Sequence, residues 1–596
     1  MSRSIIKTVR LFRSFASKVR QWLDELGHSE NQESLALSLL IGALVGLVVV
    51  AFILLTGRLA VRMYPTGGSG WRRILVPTIG ALATGYLLWR FFPLARGSGI
   101  PQTKAALFIN NGEISLRTVL GKFLCCSASL ATGMALGREG PSVHIGGGLG
   151  SLIARNAGLS REQVKSLVPV GCSAALAAAF NTPIAAVLFS LEEIMGDLHA
   201  TVLGTAVLSS ATSWMVLHLV LGDSPLFHVS GYKLVSPWEF VAYAVLGIVG
   251  GLGSVSFVKL LLRLREWFAT LPEWSVWLQP VVGGLTVGLM GYFVPEVMGV
   301  GYNYVERVLN GDVILQTVVL LAVLKIVATA VCYSSGNAGG IFGPALFIGS
   351  TMGAAVGAVT HHFFPSSTAG PGAYALVGMG TAFAGIVRTP LTSVIMIFEV
   401  TRDYTIIVPL MISNLIAFFI SYKLQRSPIY DALAHQDGIH LPEAGARMPR
   451  ATVEDVMRKN ATTIDADSAV SAALIRLDGD SLDAWPVVDE HGLRGMIRRD
   501  QLEQTAAGGR QTIAQVLTPV PHHDPLSADF PHVHPDHGLH LALERIGSSG
   551  SSVIPVVSRA DVRTLLGVVV LDDLLRAYGL PEAAWNHGST TREARP

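Results

Sequence analysis

Long apolar runs dominate the sequence between residues 34 and 422, among them 35–55, 240–258 and 313–331. Each is long enough for a helix that crosses a hydrocarbon core, which takes about 20 residues. Of the 596 residues 50% are hydrophobic and only 14% charged, against about 25% charged in an ordinary soluble protein, so most of the chain belongs in lipid. Further apolar segments, 168–180 and 183–191, are too short to cross alone and are interrupted by Gly, Asn or Pro. Broken helices inside a bundle are expected there. The 62 glycines suit close helix packing in a medium where apolar burial gives little drive for association.

The start of the chain is different. Arg3, Lys7, Arg10, Arg13, Lys18 and Arg20 precede the first span, which places the N-terminus on the cytoplasmic side. Ile5, Ile6, Val9, Leu11 and Phe12 are interleaved with them, so residues 1–33 read as a basic helix lying on the membrane surface. No small-residue cleavage site follows, as a signal peptide would require. The net charge of +2 gives no footing for a nucleic-acid partner. Cys125, Cys126, Cys172 and Cys332 fall in apolar segments without metal-ligand spacing and read as packing residues.

The membrane region repeats itself. Laid over 377–399 without a gap, 170–192 matches at Val170 and Val377, Gly171 and Gly378, Ala175 and Ala382, Ala177 and Ala384, Thr182-Pro183 and Thr389-Pro390, Val187 and Val394, and Glu192 and Glu399. Upstream of each copy, Gly140-Pro141 and Ile145-Gly146 recur as Gly343-Pro344 and Ile348-Gly349. The halves are placed at 34–222 and 237–430. Repeats with broken helices are typical of transporters whose site lies at the midplane, where half-helix ends meet.

Three motifs punctuate the region: Gly97-Ser98-Gly99-Ile100-Pro101, Gly137-Arg138-Glu139-Gly140-Pro141, and Gly339-Gly340-Ile341-Phe342-Gly343-Pro344. Each sets Pro where a helix begins, since its missing N–H is unpaired there anyway. Helix starts inside a membrane leave N–H donors and a positive dipole end, which bind an anion. Three such ends pointed at one spot make an anion site. Partial charges and the Ser98 hydroxyl would hold an ion weakly enough for release, where a buried Lys would trap it. Glu139 is an acid at one of these helix starts. As a carboxylate it can occupy the anion site, and when protonated it would leave, so it can couple proton binding to anion movement. The plainer reading is a salt bridge with Arg138, which adjacent helix residues rarely form well.

After Lys423 the composition turns polar. A linker at 431–446 leads to a doubled unit: Ala484-Trp485-Pro486-Val487-Val488, Gly495-Met496-Ile497 and Asp500 recur as Val553-Ile554-Pro555-Val556-Val557, Gly567-Val568-Val569 and Asp572. Each copy, 447–508 and 509–580, reads as strand, turn, strand, helix. Residues 581–596 are polar and aperiodic and read as disordered. His522, His523, His532, His534, His537 and His540 lie among Pro and Asp without helical ligand spacing, and a solvated loop is expected over a metal site. An intramembrane protease is the rival class, but there is no His-Glu-x-x-His, and the one Gly-x-Ser-Gly, at 547–550, lies in this tail.

The three motifs, their order and the doubled tail resemble the CLC family of chloride channels and chloride/proton exchangers, from about residue 34 to 580. The resemblance implies a polytopic α-helical membrane protein with an inverted internal repeat and broken helices, plus a C-terminal α/β CBS-pair domain. It implies a homodimer with one pathway per subunit, both termini cytoplasmic, in a plasma membrane, here a bacterial inner membrane. Chloride, protons and the lipid bilayer are its partners, and neither a cofactor nor an enzymatic step is expected. Ser98 and the backbone amides of Ile341 and Phe342 would line the central chloride site, Tyr430 would reach the ion from the inner side, and Glu139 would be the external gate. Glu192 and Glu193 close the segment begun by Asn181-Thr182-Pro183. In family exchangers the second acid of this pair receives protons from inside, so Glu193 favours chloride/proton exchange over a passive, voltage-gated channel. Glu399, the repeat mate of Glu192, reads as structural. Ser98 and the intact Gly-Arg-Glu-Gly-Pro look like chloride-selective members. The tail departs from adenine-nucleotide binders, with Arg498 and Val570 at hydroxyl positions and Asp573 alone well placed. A dimer-stabilising role is therefore expected of it rather than nucleotide binding.

Overall fold

The computed structural model describes residues 30–64, 69–198, 202–223, 225–229, 234–311, 314–439, 441, 452–480, 482–506, 512–517, 530–559 and 561–578. The basic segment expected at 1–33 falls outside them up to residue 29, as do His522, His523 and the tail at 581–596. The chain divides into two units, 1–444 and 445–596.

In the first unit, eight helices recur in the same order in each half. They are α1 Glu30–Met63, α2 Gly70–Arg90, α3 Ile100–Phe108, α4 Leu116–Ala131, α5 Glu139–Asn156, α6 Arg161–Phe180, α7 Pro183–Phe189 and α8 Leu203–Leu221, then α9 Glu239–Ala269, α10 Gln279–Phe293, α11 Tyr302–Leu309, α12 Leu315–Ser334, α13 Phe342–Phe363, α14 Pro371–Val387, α15 Pro390–Thr401 and α16 Ile407–Leu424. A last short helix, α17, spans Ile429–Gln436. Seven helical stretches among the described residues are long and apolar enough to cross a membrane. Of the two breaks expected, the one at 183–191 is present at α7, and the short helices α3, α11 and α15 interrupt the bundle elsewhere, but there is no break at 168–180. Those residues belong to the continuous 20-residue α6, whose start is set by a Ser160–Gln163 capping box and runs through Pro169. The polar first turn, Arg161 to Lys165, hid that length in the sequence.

The repeat is carried by contacts that occur twice. Where α5 crosses α6, a Cβ on Gly146 would lie 2.3 Å from the Gly171 carbonyl, and where α13 crosses α14, one on Gly349 would lie 2.2 Å from that of Gly378. Only a bare backbone allows either approach. Glu399, near the end of α15, accepts the amides of Ile184 (2.9 Å) and Ala185 (2.7 Å) at the start of α7. Glu192, just beyond α7, accepts the Thr392 amide (2.8 Å) and hydroxyl (2.7 Å) at the start of α15. The end of each segment lies beside the beginning of the other, so the two run antiparallel, as an inverted repeat requires. Each acid also satisfies donors that a helix start leaves open.

In the second unit β1 (Ile464–Asp465) pairs parallel with β2 (Ala484–Asp489), and β2 pairs antiparallel with β3 (Gly492–Arg498), Trp485 opposite Ile497. Helix Arg499–Ala506 follows. The second copy repeats the hairpin and the helix with β4 (Val553–Val557), β5 (Leu565–Val570) and helix Leu571–Ala577. Both hairpins shift register at the residue pair after the strand proline, Val487/Val488 and Val556/Val557. His532, His534 and His537 are half-buried rather than solvated. The Nδ1 of His532 bonds the Phe530 carbonyl (2.8 Å) and that of His534 the Val557 carbonyl (2.9 Å).

Candidate functional site

Backbone hydrogen bonds stitch the three Gly/Pro motifs together. Gly137 and Gly340 exchange two bonds of 2.7 Å, and the Gly339 amide donates to the Gly97 carbonyl (3.3 Å). The starts of α3, α5 and α13 are thereby drawn to one place, with Pro101, Pro141 and Pro344 in their first turns. Ile341 caps α13 and Phe342 opens it, so their amides stand where a helix has no acceptor of its own. Gly99 caps α3 at φ 96°, against the His144 side chain, which a Cβ would approach to 2.6 Å.

Two buried lysines brace loops at the site, one before α3 and one before α11, and neither was singled out by the sequence reading. Lys122 donates to the carbonyls of Arg96 (3.0 Å) and Gly97 (3.1 Å), beside Ser98. Lys325, 203 positions later, donates to those of Val297 (3.0 Å) and Gly299 (2.7 Å). Both ammonium groups are spent on carbonyls, which turns the peptide dipoles of each loop toward the lysine.

Glu139 is fully buried at the first position of α5. Its Oε2 accepts the Gly343 amide of α13 (3.2 Å) and its Oε1 accepts the Tyr302 hydroxyl. The Arg138 Nε stands 3.8 Å from Oε1, and the guanidinium lies over the Tyr302 ring at 5.4 Å. The ion pair with Arg138 is thus present but loose, and the close partners are a helix-start amide and a phenol. A carboxylate already rests on donors that could serve a bound anion. Tyr302 escaped the sequence reading. Its signal was Gly299-Val300-Gly301-Tyr302, a weak copy of Gly97-Ser98-Gly99-Ile100.

Ser98 is buried; its Oγ accepts the Ile100 amide and its own amide donates to Tyr333 Oη, both at 3.4 Å. Tyr430 is buried at the start of α17, and its Oη has no hydrogen-bond partner among the described residues. It lies within Coulombic reach of Glu193, Tyr333 and Glu139. The Phe342 ring packs on Phe383, Phe180 and Phe189, centroids 4.2, 4.7 and 5.5 Å away. A cavity of about 740 Å³ reaches Gly97 and Tyr333 between Arg96 and Arg265, with Asp437 paired to Arg265 at its wall.

Glu193 sits in a π-helical turn, Ser190–Met195, that continues α7. Such wide turns rotate successive side chains onto different faces. Glu192 faces the start of α15, whereas Glu193 faces Lys104 of α3, whose Nζ lies 2.9 Å from Glu193 Oε1 and 2.6 Å from Oδ1 of Asp431, the residue after Tyr430.

Residues 79–422 match the family model described as voltage gated chloride channel, and 453–504 match that of the CBS domain. The H(+)/Cl(-) exchange transporter ClcA of Vibrio cholerae is 30% identical over 421 residues, which are 67% of this chain and 89% of that protein. A structure of a slow cyanobacterial Cl-/H+ antiporter is 27% identical, with a TM-score of 0.62 over 68% of this chain and 97% of that one. A eukaryotic CLC transporter shares the fold at 22% identity, with a TM-score of 0.58 over 91% of this chain and 97% of that one. With this repeat and these helix starts, and with a family match over more than half its length, the chain belongs to the voltage gated chloride channel, or CLC, family.

Proposed function

We propose that the chain exchanges chloride for protons across a plasma membrane, as a homodimer in a bacterial inner membrane with both termini cytoplasmic. The observation that carries this reading is the Glu139 carboxylate bonded to the Gly343 amide at the start of α13. At the start of α13 a chloride ion and the carboxylate compete for the Gly343 amide, next to the amides of Ile341 and Phe342. Chloride replaces Glu139 once that acid takes a proton, is held by the amides of Ile341 and Phe342 with Ser98 and Tyr430, and moves on inward through the cavity at Gly97. The proton then leaves outward as chloride moves inward. Glu193, the buried acid on the inner side, supplies the proton. The passive-channel reading has one observation in its favour, the ion pair that holds Glu193 to Lys104.

An apolar face at α7 and α15 supports the dimer, with the repeat mates Ile184 and Leu391 exposed at 56% and 43% beside the reciprocal caps. In the tail, Asp573, the one acid placed for a nucleotide, is gripped by Arg458 at 2.6 and 3.1 Å, and Arg498 pairs with Asp500. These pairings favour a structural role for the tail over nucleotide binding.

The test is chloride-driven proton movement in liposomes holding the purified protein. Uphill proton flow under a chloride gradient, abolished in Glu193→Ala while chloride still passes, is the expected result. Chloride flux with no linked proton flux in the unmodified protein would make it a channel.

A further inference from the structure

Lys104 ties together two elements that serve different ions. It lies in the second turn of α3, the helix capped by the Ser98 loop, and its ammonium bridges Glu193 on the π-turn and Asp431 beside Tyr430 on α17. Exposure is graded across the three side chains, 5% for Glu193, 6% for Lys104 and 19% for Asp431. The other charged or titratable groups facing the cluster are Glu192 on the same turn, Tyr430 on α17, and Arg388 at the end of α14. Glu192 is spent on α15, and Arg388 donates to the carbonyls of Ser421 (2.8 Å) and Gln425.

A proton on Glu193 removes the negative charge that holds the Lys104 ammonium at 2.9 Å, so protonation weakens that pairing. The charge count decides what the neighbour must be. Glu193, Lys104 and Asp431 together carry one negative charge, and a proton from the inner solution, bound to Glu193, brings them to neutrality. Without Asp431 the same proton would turn a neutral pair into a buried positive charge, which a low-dielectric site resists. Resting on the exchange reading, we propose that Asp431 is the positioning residue for proton loading. It takes the Lys104 ammonium as Glu193 lets go, and Lys104 stays protonated throughout. The more exposed side of the cluster, at Asp431, then anchors the charge while the buried side carries the proton.

The test measures proton and chloride fluxes in liposomes for the unmodified protein, Asp431→Asn, Asp431→Glu, Lys104→Met and the Lys104→Met/Asp431→Asn double variant. Asp431→Asn is expected to carry about tenfold fewer protons per chloride, with chloride flux as the control for a folded protein, and Asp431→Glu to restore the ratio. Once the ammonium is gone Asp431 has nothing to hold, so adding Asp431→Asn to Lys104→Met is expected to lower the ratio no further. A ratio in Asp431→Asn equal to that of the unmodified protein overturns the proposal, as does an equal tenfold loss in both backgrounds. Absence of proton pumping in the unmodified protein overturns the exchange reading, and this proposal with it.

Discussion

Glu139 and Ser98 could be found in the sequence because glycine and proline mark helix starts on either side of them. Tyr302, Lys104 and Asp431 could not. Tyr302 meets Glu139 across 163 positions, and Lys104 meets Glu193 and Asp431 across 89 and 327; beyond the weak glycine pattern before Tyr302, nothing local announces a side chain whose partner lies so far along the chain. Tyr302 is expected to slow the gate, since its hydroxyl holds the carboxylate where the anion would bind. A hydrogen bond to a charged group is worth about 1.5–3 kcal/mol. Tyr302→Phe should therefore raise chloride turnover in liposomes by about tenfold or more, and an unchanged rate would show that the Gly343 amide alone keeps the carboxylate in place.

The helix starts were legible because proline and glycine act locally, whereas the extent of α6 was not, because its polar first turn interrupts the apolar run that continues it. The recurrence of Gly171 and Glu192 as Gly378 and Glu399 was visible as a pattern, but what the pattern does emerges only from the crossings and caps. Gly146→Ala and Gly349→Ala each set a methyl within 2.3 Å of a carbonyl across a helix crossing. Both should cost about 1–3 kcal/mol or more, read as a lower midpoint in thermal unfolding of the solubilised protein. Glu399→Ala leaves two amides of α7 without acceptors and should cost about 1–2 kcal/mol in the same measurement, with chloride flux retained.

At the scale of the molecule, the sequence showed a membrane region of two halves followed by a doubled polar unit, because composition and repeats survive without any knowledge of contacts. The pH response of the second unit was not readable, since it depends on burial. Burial first, then nearby positive groups including Arg545, hold His532 and His537 below the usual imidazole value. The unfolded chain therefore binds protons that the folded unit refuses. That stability is complete above about pH 6.5 and is lost as the pH falls through the imidazole range. Hydrogen exchange corrected for its intrinsic rate should show protection of β4 and β5 declining as the pH falls below about 6.5, and constant protection would contradict it. The exchange of a carboxylate for an anion at the start of α13 is tested most directly by anomalous scattering from bromide in crystals of the unmodified protein and of Glu139→Ala. The expected result is a bromide within hydrogen-bond distance of the Gly343 amide in the variant alone, where Glu139 Oε2 now sits. Bromide at that amide in both proteins, or in neither, would contradict competition between the gate and the ion.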